Sequence, residues 1–226
     1  MTRYGLGYDS PLDDYKFVMI TEVSHVSFQV WIFSLKSNSW RKSQDLLMVD
    51  DKCSSWEGSF ANGALYWKWK NNVLGFDVAR EVFFNVPLFS DCGQTITCQD
   101  YLVVLAGNLY VPVLRDYPNI HYYLLVRDKG AEAAGGSWRK KFTLDYEMHN
   151  FDPLLPLAYS KERNSILVSK LYRIFWYNLE KKTKECVAGN IPLYAETVCC
   201  ESLVSLGDDS VFDRAADKVI IYDLER

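Results

Sequence analysis

The chain has 226 residues, 49% of them hydrophobic and 15% aromatic, which is enough apolar material for one large core or two small ones. Its formal net charge of −4 provides no global basic field, which argues against nucleic acid and anionic membranes as partners. No apolar run reaches membrane-helix length, no signal peptide is readable, and the six cysteines form no Cys-x-x-Cys pair, so a reduced, soluble protein of the cytoplasm, the nucleus or both is expected.

The predicted elements are strands throughout. Tyr4–Tyr8 turns at Ser10-Pro11-Leu12-Asp13-Asp14 into Tyr15–Ile20. Phe28–Leu35 follows, apolar on both of its faces, as in a strand covered on two sides. Lys36-Ser37-Asn38-Ser39 then turns the chain into a fourth strand opening at Trp40. A second unit starts at Gly58-Ser59-Phe60-Ala61. Asn62-Gly63 between apolar runs is its strongest hairpin signal, because both residues tolerate positive φ. Ala64–Trp69, a turn at Asn71-Asn72, Val73–Val78 and Val82–Val86 complete that unit, and Pro87 ends the pairing. The third unit reads as Tyr101–Leu105, a Gly107-Asn108 turn, Leu109–Leu114, His121–Arg127 and, past a glycine-containing insert at Lys129–Gly136, Trp138–Leu144. The fourth has Leu157–Tyr159, Ile166–Ser169, Arg173–Leu179 and Lys184–Val187. A partial fifth would use Ser202–Leu206 and Val219–Leu224, with an irregular or helical stretch at Asp213–Asp217 between them.

One phrase recurs along this path: an aromatic, a small polar residue, an aliphatic. It stands at Phe33-Ser34-Leu35, Phe76-Asp77-Val78, Tyr177-Asn178-Leu179 and Tyr222-Asp223-Leu224, with the aromatics 43, 101 and 45 residues apart. The long interval holds two periods, and its middle contains Leu124-Leu125-Val126 and a Ser137-Trp138-Arg139-Lys140 that repeats Ser39-Trp40-Arg41-Lys42. A period of about 40–50 residues in a strand-rich chain is the signature of propeller blades. The expected fold is therefore all-β, a propeller-like array of four-stranded antiparallel blades, four complete and a fifth partial, making an incomplete propeller. In each copy the aromatic and aliphatic should fill space between sheets while the polar residue starts a turn.

No enzyme constellation has persuasive spacing. The chain has no Gly-x-Ser-x-Gly elbow, no P-loop and no His-Glu-x-x-His, and its three histidines do not cluster with cysteines. No catalytic residue, cofactor or metal site is expected. Asp13-Asp14, Asp50-Asp51 and Asp208-Asp209 are neighbours that would point to opposite faces of an extended chain. The basic runs Arg139-Lys140-Lys141 and Lys181-Lys182-Thr183-Lys184 fit solvated turns and edge protection. Binding specificity would then belong to the loops, among them Gln44–Glu57, Phe89–Gln99, Arg115–Asn119, Lys129–Gly136 and Asn190–Thr197. Trp56, Tyr117, Tyr146 and Tyr194, in or beside them, are candidate anchors for a partner.

A set of phrases in order carries a family resemblance. It comprises Tyr4-Gly5-Leu6-Gly7-Tyr8-Asp9-Ser10 with Asp13-Asp14-Tyr15-Lys16-Phe17-Val18, Val30–Trp40, Asn62-Gly63-Ala64-Leu65-Tyr66-Trp67, Gly75-Phe76-Asp77 with Phe83, Ser137-Trp138, Pro156-Leu157 and Glu201–Leu206. Together they resemble the F-box-associated domain of plant F-box proteins. The resemblance implies a module that binds target proteins for a Skp–cullin–F-box ubiquitin ligase. It implies a Skp-type adaptor and cullin as partners only through an F-box that is not read in this chain. It places the domain over residues 1–206, with 207–226 as a divergent tail or partial last blade, and suggests that opening blades are missing. The alternative from another class is a propeller that binds a small molecule or glycan.

Overall fold

The computed structural model describes residues 2–24, 26–43, 45–47, 56–69, 72–88, 97–98, 101–116, 119–126, 136–145, 154–170, 173–189, 199–200 and 219–220. Among these residues every regular element is a strand. They belong to two compact units, Met1–Glu147 and Met148–Arg226.

Unit one contains three antiparallel sheets built from consecutive strands. Sheet 1 orders β1 (Thr2–Asp9), β2 (Asp14–Ser24), β3 (Ser27–Ser34) and β4 (Ser39–Lys42), and β5 (Leu46–Leu47) continues the outer edge along β3. Sheet 2 is β6 (Ser59–Ala61), β7 (Ala64–Trp69), β8 (Asn72–Asp77) and β9 (Val82–Pro87). In sheet 3, β10 (Thr97–Cys98) and β11 (Val103–Leu105) both pair with β12 (Asn108–Asp116), followed by β13 (Asn119–Val126) and β14 (Ser137–Asp145). Unit two holds β15 (Leu155–Tyr159), β16 (Ser165–Lys170), β17 (Arg173–Asn178) and β18 (Lys184–Gly189) in one sheet, and β19 (Cys199–Cys200) paired with β20 (Val219–Ile220) in a second. The four-blade reading of the sequence thus matches four meandering sheets. Ser202–Leu206 and the phrase at Tyr222 lie outside the described residues.

The period of the sequence reappears as a fixed row of opposed residues. Leu6–Phe17–Phe33–Trp40 runs across sheet 1, and Phe60–Leu65–Phe76–Phe83 runs across sheet 2. In sheet 3 the pairs Val104–Leu109 and Leu125–Trp138 hold the same positions, so Leu125 stands where the other copies have an aromatic. Tyr159–Ile166–Tyr177 is the row of the fourth sheet.

Between sheets 1 and 2 the buried Val18, Ile20, Phe28, Val30 and Ile32 pack with Leu65, Trp67, Trp69, Leu74, Phe76 and Val78. Between sheets 2 and 3, Ala61, Ala64, Tyr66, Val73, Phe84 and Val86 pack with Leu109, Val111, Val113 and Leu125. Sheet 2 is therefore apolar on both faces because both are covered. Packing there leaves no spare volume: a Cβ on Gly75 would lie 2.2 Å from the Phe84 ring.

The repeated phrase forms one turn. After Asp77 and Asn178 come four residues whose last, Glu81 or Lys182, has positive φ (59° and 54°). The phrase's polar side chain accepts from the backbone N–H three residues on: Asp77 from Arg80 at 3.0 Å, Asn178 from Lys181 at 2.8 Å, Ser34 from Ser37 at 3.1 Å. Asp9 repeats the device with Leu12 at 3.3 Å and Asp13 at φ 51°, between β1 and β2. The expectation for the aliphatic member needs correction in the first copy. Val78 is fully buried, whereas Leu35 is 50% exposed: each is the first residue of its turn, but Val78 packs into the core between sheets 1 and 2 and Leu35 is not part of that core. Two turn assignments shift by one residue. Leu105 pairs with Asn108, so the tight turn is Ala106-Gly107 (φ 49° and 73°), and Trp69 pairs with Asn72, so Asn72 belongs to β8 and not to the turn.

Candidate functional site

Antiparallel meandering gives each sheet two unlike ends. The connections from first to second and from third to fourth strand lie at one end and are the short capped turns just described. The connections from second to third strand, and from each sheet to the next, leave from the other end. That second end is where binding residues would be free of packing duties.

The turn end of sheets 1 and 2 is closed by a charge network. Lys16 Nζ lies 2.5 Å from Asp9 Oδ2 and 2.8 Å from Glu81 Oε1, and donates to the Val78 carbonyl at 3.1 Å. Arg41 grips the second Glu81 oxygen. Burial opposes the Lys16 charge, but the hydrogen bonds to Asp9 and Glu81 and the charges of those two groups outweigh it and hold the ammonium above its ordinary range. Burial likewise opposes ionised Glu81, and the Lys16 and Arg41 partners overcome it and hold the carboxyl below its usual value. Asp14 is also held low against its burial, by the Ser34 hydroxyl at 2.6 Å and the Lys36 N–H at 2.8 Å. Every one of these polar groups is occupied in joining strands, so the network is a clamp.

The other end has a different character. Trp56 presents its ring to solvent, 57% exposed, on a backbone that is pinned. Its carbonyl accepts from Tyr4 N–H at 3.0 Å, and Gly58 N–H donates to the Tyr4 carbonyl at 2.7 Å, a parallel bridge joining the entry to β6 onto β1. Trp67 Nε1 donates to the same carbonyl at 3.2 Å, and a Cβ on Gly58 would meet the Trp67 indole at 2.6 Å. Beside this bridge Arg3 is fully buried, its guanidinium 4.6 Å from the Trp69 ring centroid and 5.3 Å from that of Phe28. Next to Trp56 an open cleft of about 440 Å³ lies between the entry to sheet 2 and that to sheet 3, lined by Glu57, Gly58, Ser59, Phe60, Tyr101, Leu102 and Val104.

Of the four aromatics singled out in the sequence, Trp56 is an exposed side chain that does not line this cleft, while Tyr117, Tyr146 and Tyr194 lie outside the described residues. Sequence reasoning missed the cleft itself. It is made by residues 57–60 and 101–104, which approach only because two sheets stack. Among the described residues no group of three or more acidic, histidine or cysteine side chains is placed to hold a metal ion. His121 is buried, with Nδ1 2.8 Å from the Thr143 hydroxyl. The basic run Arg139-Lys140-Lys141 lies exposed on the outer strand of sheet 3, as edge protection requires.

A second surface is apolar. On sheet 1, Leu6 and Trp40 are 56% and 49% exposed, on the face opposite the one packed on sheet 2. Tyr4 stacks on Phe17 at 6.0 Å, and Trp40 meets Phe17 edge-on at 5.9 Å and Phe33 at 5.3 Å. This is the face carrying the Leu6–Phe17–Phe33–Trp40 row, whose counterpart in sheet 2 is covered by sheet 1.

Comparison with known proteins completes the description. The family described as the F-box associated beta propeller domain matches residues 1–196. F-box protein CPR1 of Arabidopsis thaliana is 27% identical over 220 residues, covering 79% of this chain and 50% of that protein. An F-box/kelch-repeat protein of the same plant is 31% identical over 103 residues, covering 42% of this chain and 28% of the relative. An F-box/LRR-repeat/kelch-repeat protein is 30% identical over 158 residues, covering 63% of this chain and 41% of the relative. The chain thus spans half or less of the length of these curated relatives.

Proposed function

The chain belongs to the F-box-associated β-propeller family, and on that premise we propose that it is a protein-interaction module that holds a target protein for ubiquitination by a Skp–cullin–F-box ligase. It acts by binding rather than catalysis, in the cytoplasm or nucleus, and the adaptor and cullin would be recruited only through an F-box, which is not read in this chain. The observation that carries this reading is the family match over residues 1–196, reinforced by a loop end that exposes an aromatic on a fixed backbone. Such an anchor is what a target-binding surface needs, since large aromatics held in place dominate interface energies. The turn end, by contrast, has its charges committed to joining sheets 1 and 2.

The test is a fusion of an F-box segment ahead of residue 1. The fusion should assemble with adaptor and cullin and transfer ubiquitin to a specific co-purifying protein. The chain without the fusion should recover that protein but no ligase subunits. A fusion that assembles the ligase yet ubiquitinates no specific protein would overturn the proposal.

A further inference from the structure

Sheet 1 has one face that the described residues leave uncovered. In sheet 2 the face bearing the Phe60–Leu65–Phe76–Phe83 row packs on sheet 1. In sheet 3 Leu109 and Leu125 of the equivalent row pack on sheet 2. The Leu6–Phe17–Phe33–Trp40 row of sheet 1 thus lies on a face of the kind that docks another sheet, yet Leu6 and Trp40 are exposed. The next row on this face, Tyr4–Met19–Trp31–Lys42, is apolar up to its last member. Residues bearing hydroxyls or an amide border the two rows, Tyr8 and Tyr15 toward the turn end, Thr2, Thr21 and Gln29 toward the other. Within these rows of described residues Lys42 is the one charged group, and it pairs with Asp45 at 3.1 Å.

We infer that this face binds the same face of a second copy of the chain, giving a two-fold dimer in which the two copies of sheet 1 stack. The occupant follows from the layout of the face. Rotation by 180° about an axis in the contact plane, along the strands or across them, sets apolar rows on apolar rows and polar borders on polar borders. No carboxylate stands in these rows, so the face meets its like without acidic repulsion. Sheets stacked through apolar side chains already hold sheets 1, 2 and 3 together. Aromatic and methionine side chains with a polar border are also the make-up of interface centres. Four strands about 4.8 Å apart and about 20 Å long offer roughly 400–500 Å² per copy. Two copies then bury about 1,000 Å², the lower bound for a specific interface, so the dimer is reversible and forms at micromolar concentration. Dimerisation goes beyond target binding and does not depend on it.

The experiment is sedimentation velocity of the full chain from about 1 to 100 μM. The wild-type chain should move from monomer toward a plateau at twice the monomer mass. Leu6→Lys and Trp40→Lys should each raise the dissociation constant at least about tenfold, and together should hold the chain monomeric throughout. Val82→Lys should leave the dimer intact, because Val82 shares the face of sheet 2 whose Phe84 and Val86 pack toward sheet 3. Raising salt from about 50 to 500 mM should not weaken an apolar contact of this kind. Far-UV circular dichroism of each variant should match the wild type, which separates loss of the interface from loss of the fold. Where a lysine variant loses its β spectrum, Leu6→Thr and Trp40→Thr take its place, with about threefold weakening expected. A chain that stays monomeric at about 100 μM, or grows past the dimer without a plateau, overturns the inference. So does a dimer that survives both lysine substitutions unweakened. A different protein that co-purifies one to one with the chain and is lost with folded Leu6→Lys also overturns it, since the face then belongs to that partner.

Discussion

At the scale of single residues the repeated phrase is a turn specification. Asp77, Asn178, Ser34 and Asp9 each cap a backbone N–H three positions on. Replacing Asp77 or Asn178 by alanine should cost about 0.5–1.5 kcal/mol in denaturant unfolding, the worth of one such hydrogen bond. The sequence made the polar residue readable as a turn starter, since Asp, Asn and Ser are turn formers. It hid the left-handed residue that follows, because Glu81 and Lys182 are not residues that seek positive φ. For Glu81 the reason is tertiary: its carboxylate is fixed by Lys16 and Arg41 from another sheet. Ala106 at φ 49° is a plain local misfit, for a hairpin position that Asn62 fills naturally in sheet 2. Ala106→Asn should therefore stabilise the chain by about 0.5–1 kcal/mol, seen as a raised midpoint of thermal unfolding.

At the scale of elements, strand pattern and hairpin signals were legible, but the junctions between sheets were not. Nothing in the local pattern announces that Lys16 is buried or that Gly75 faces a ring. Both follow from which sheet lies alongside. Gly75→Ala should cost about 1–3 kcal/mol through overpacking against Phe84, a loss that Phe84→Leu in the same chain should partly relieve. The clamp between sheets 1 and 2 sets a pH dependence. Glu81 and Asp14 are held below their ordinary values, so their stabilisation is present above about pH 4.5 and is lost as pH falls through their folded-state values. Lys16 is held above its ordinary value, so its contribution persists through neutral pH and is lost only in strong alkali. Urea unfolding followed against pH should show stability falling on the acid side. Glu81→Gln should lower the neutral plateau and flatten that acid limb.

At the scale of the whole molecule, the candidate site divides into what sequence could and could not give. Trp56 was readable as a large aromatic in a long loop, but the cleft lined by residues 57–60 required residues 101–104 to be brought alongside. The aromatic face of sheet 1 was likewise readable as apolar, though not as uncovered. Its exposed Leu6, Tyr4, Tyr15 and Trp40 predict concentration-dependent self-association of this chain, and Leu6→Lys should reduce it in sedimentation without lowering the unfolding midpoint. Consecutive-strand order has one more consequence, a kinetic one. In the four meandering sheets each strand pairs with a neighbour already close in the chain, so a growing polypeptide can close each sheet as it leaves the ribosome, with no strand waiting for a distant mate. The first event in unit one that must wait is the joining of Tyr4 to Trp56 and Gly58. Synthesis halted before residue 56 should leave sheet 1 paired but unlatched, and a few tens of residues later its Val18–Ile32 face becomes covered. The pin that steadies the proposed anchor is thus also the first long-range checkpoint in the birth of the fold.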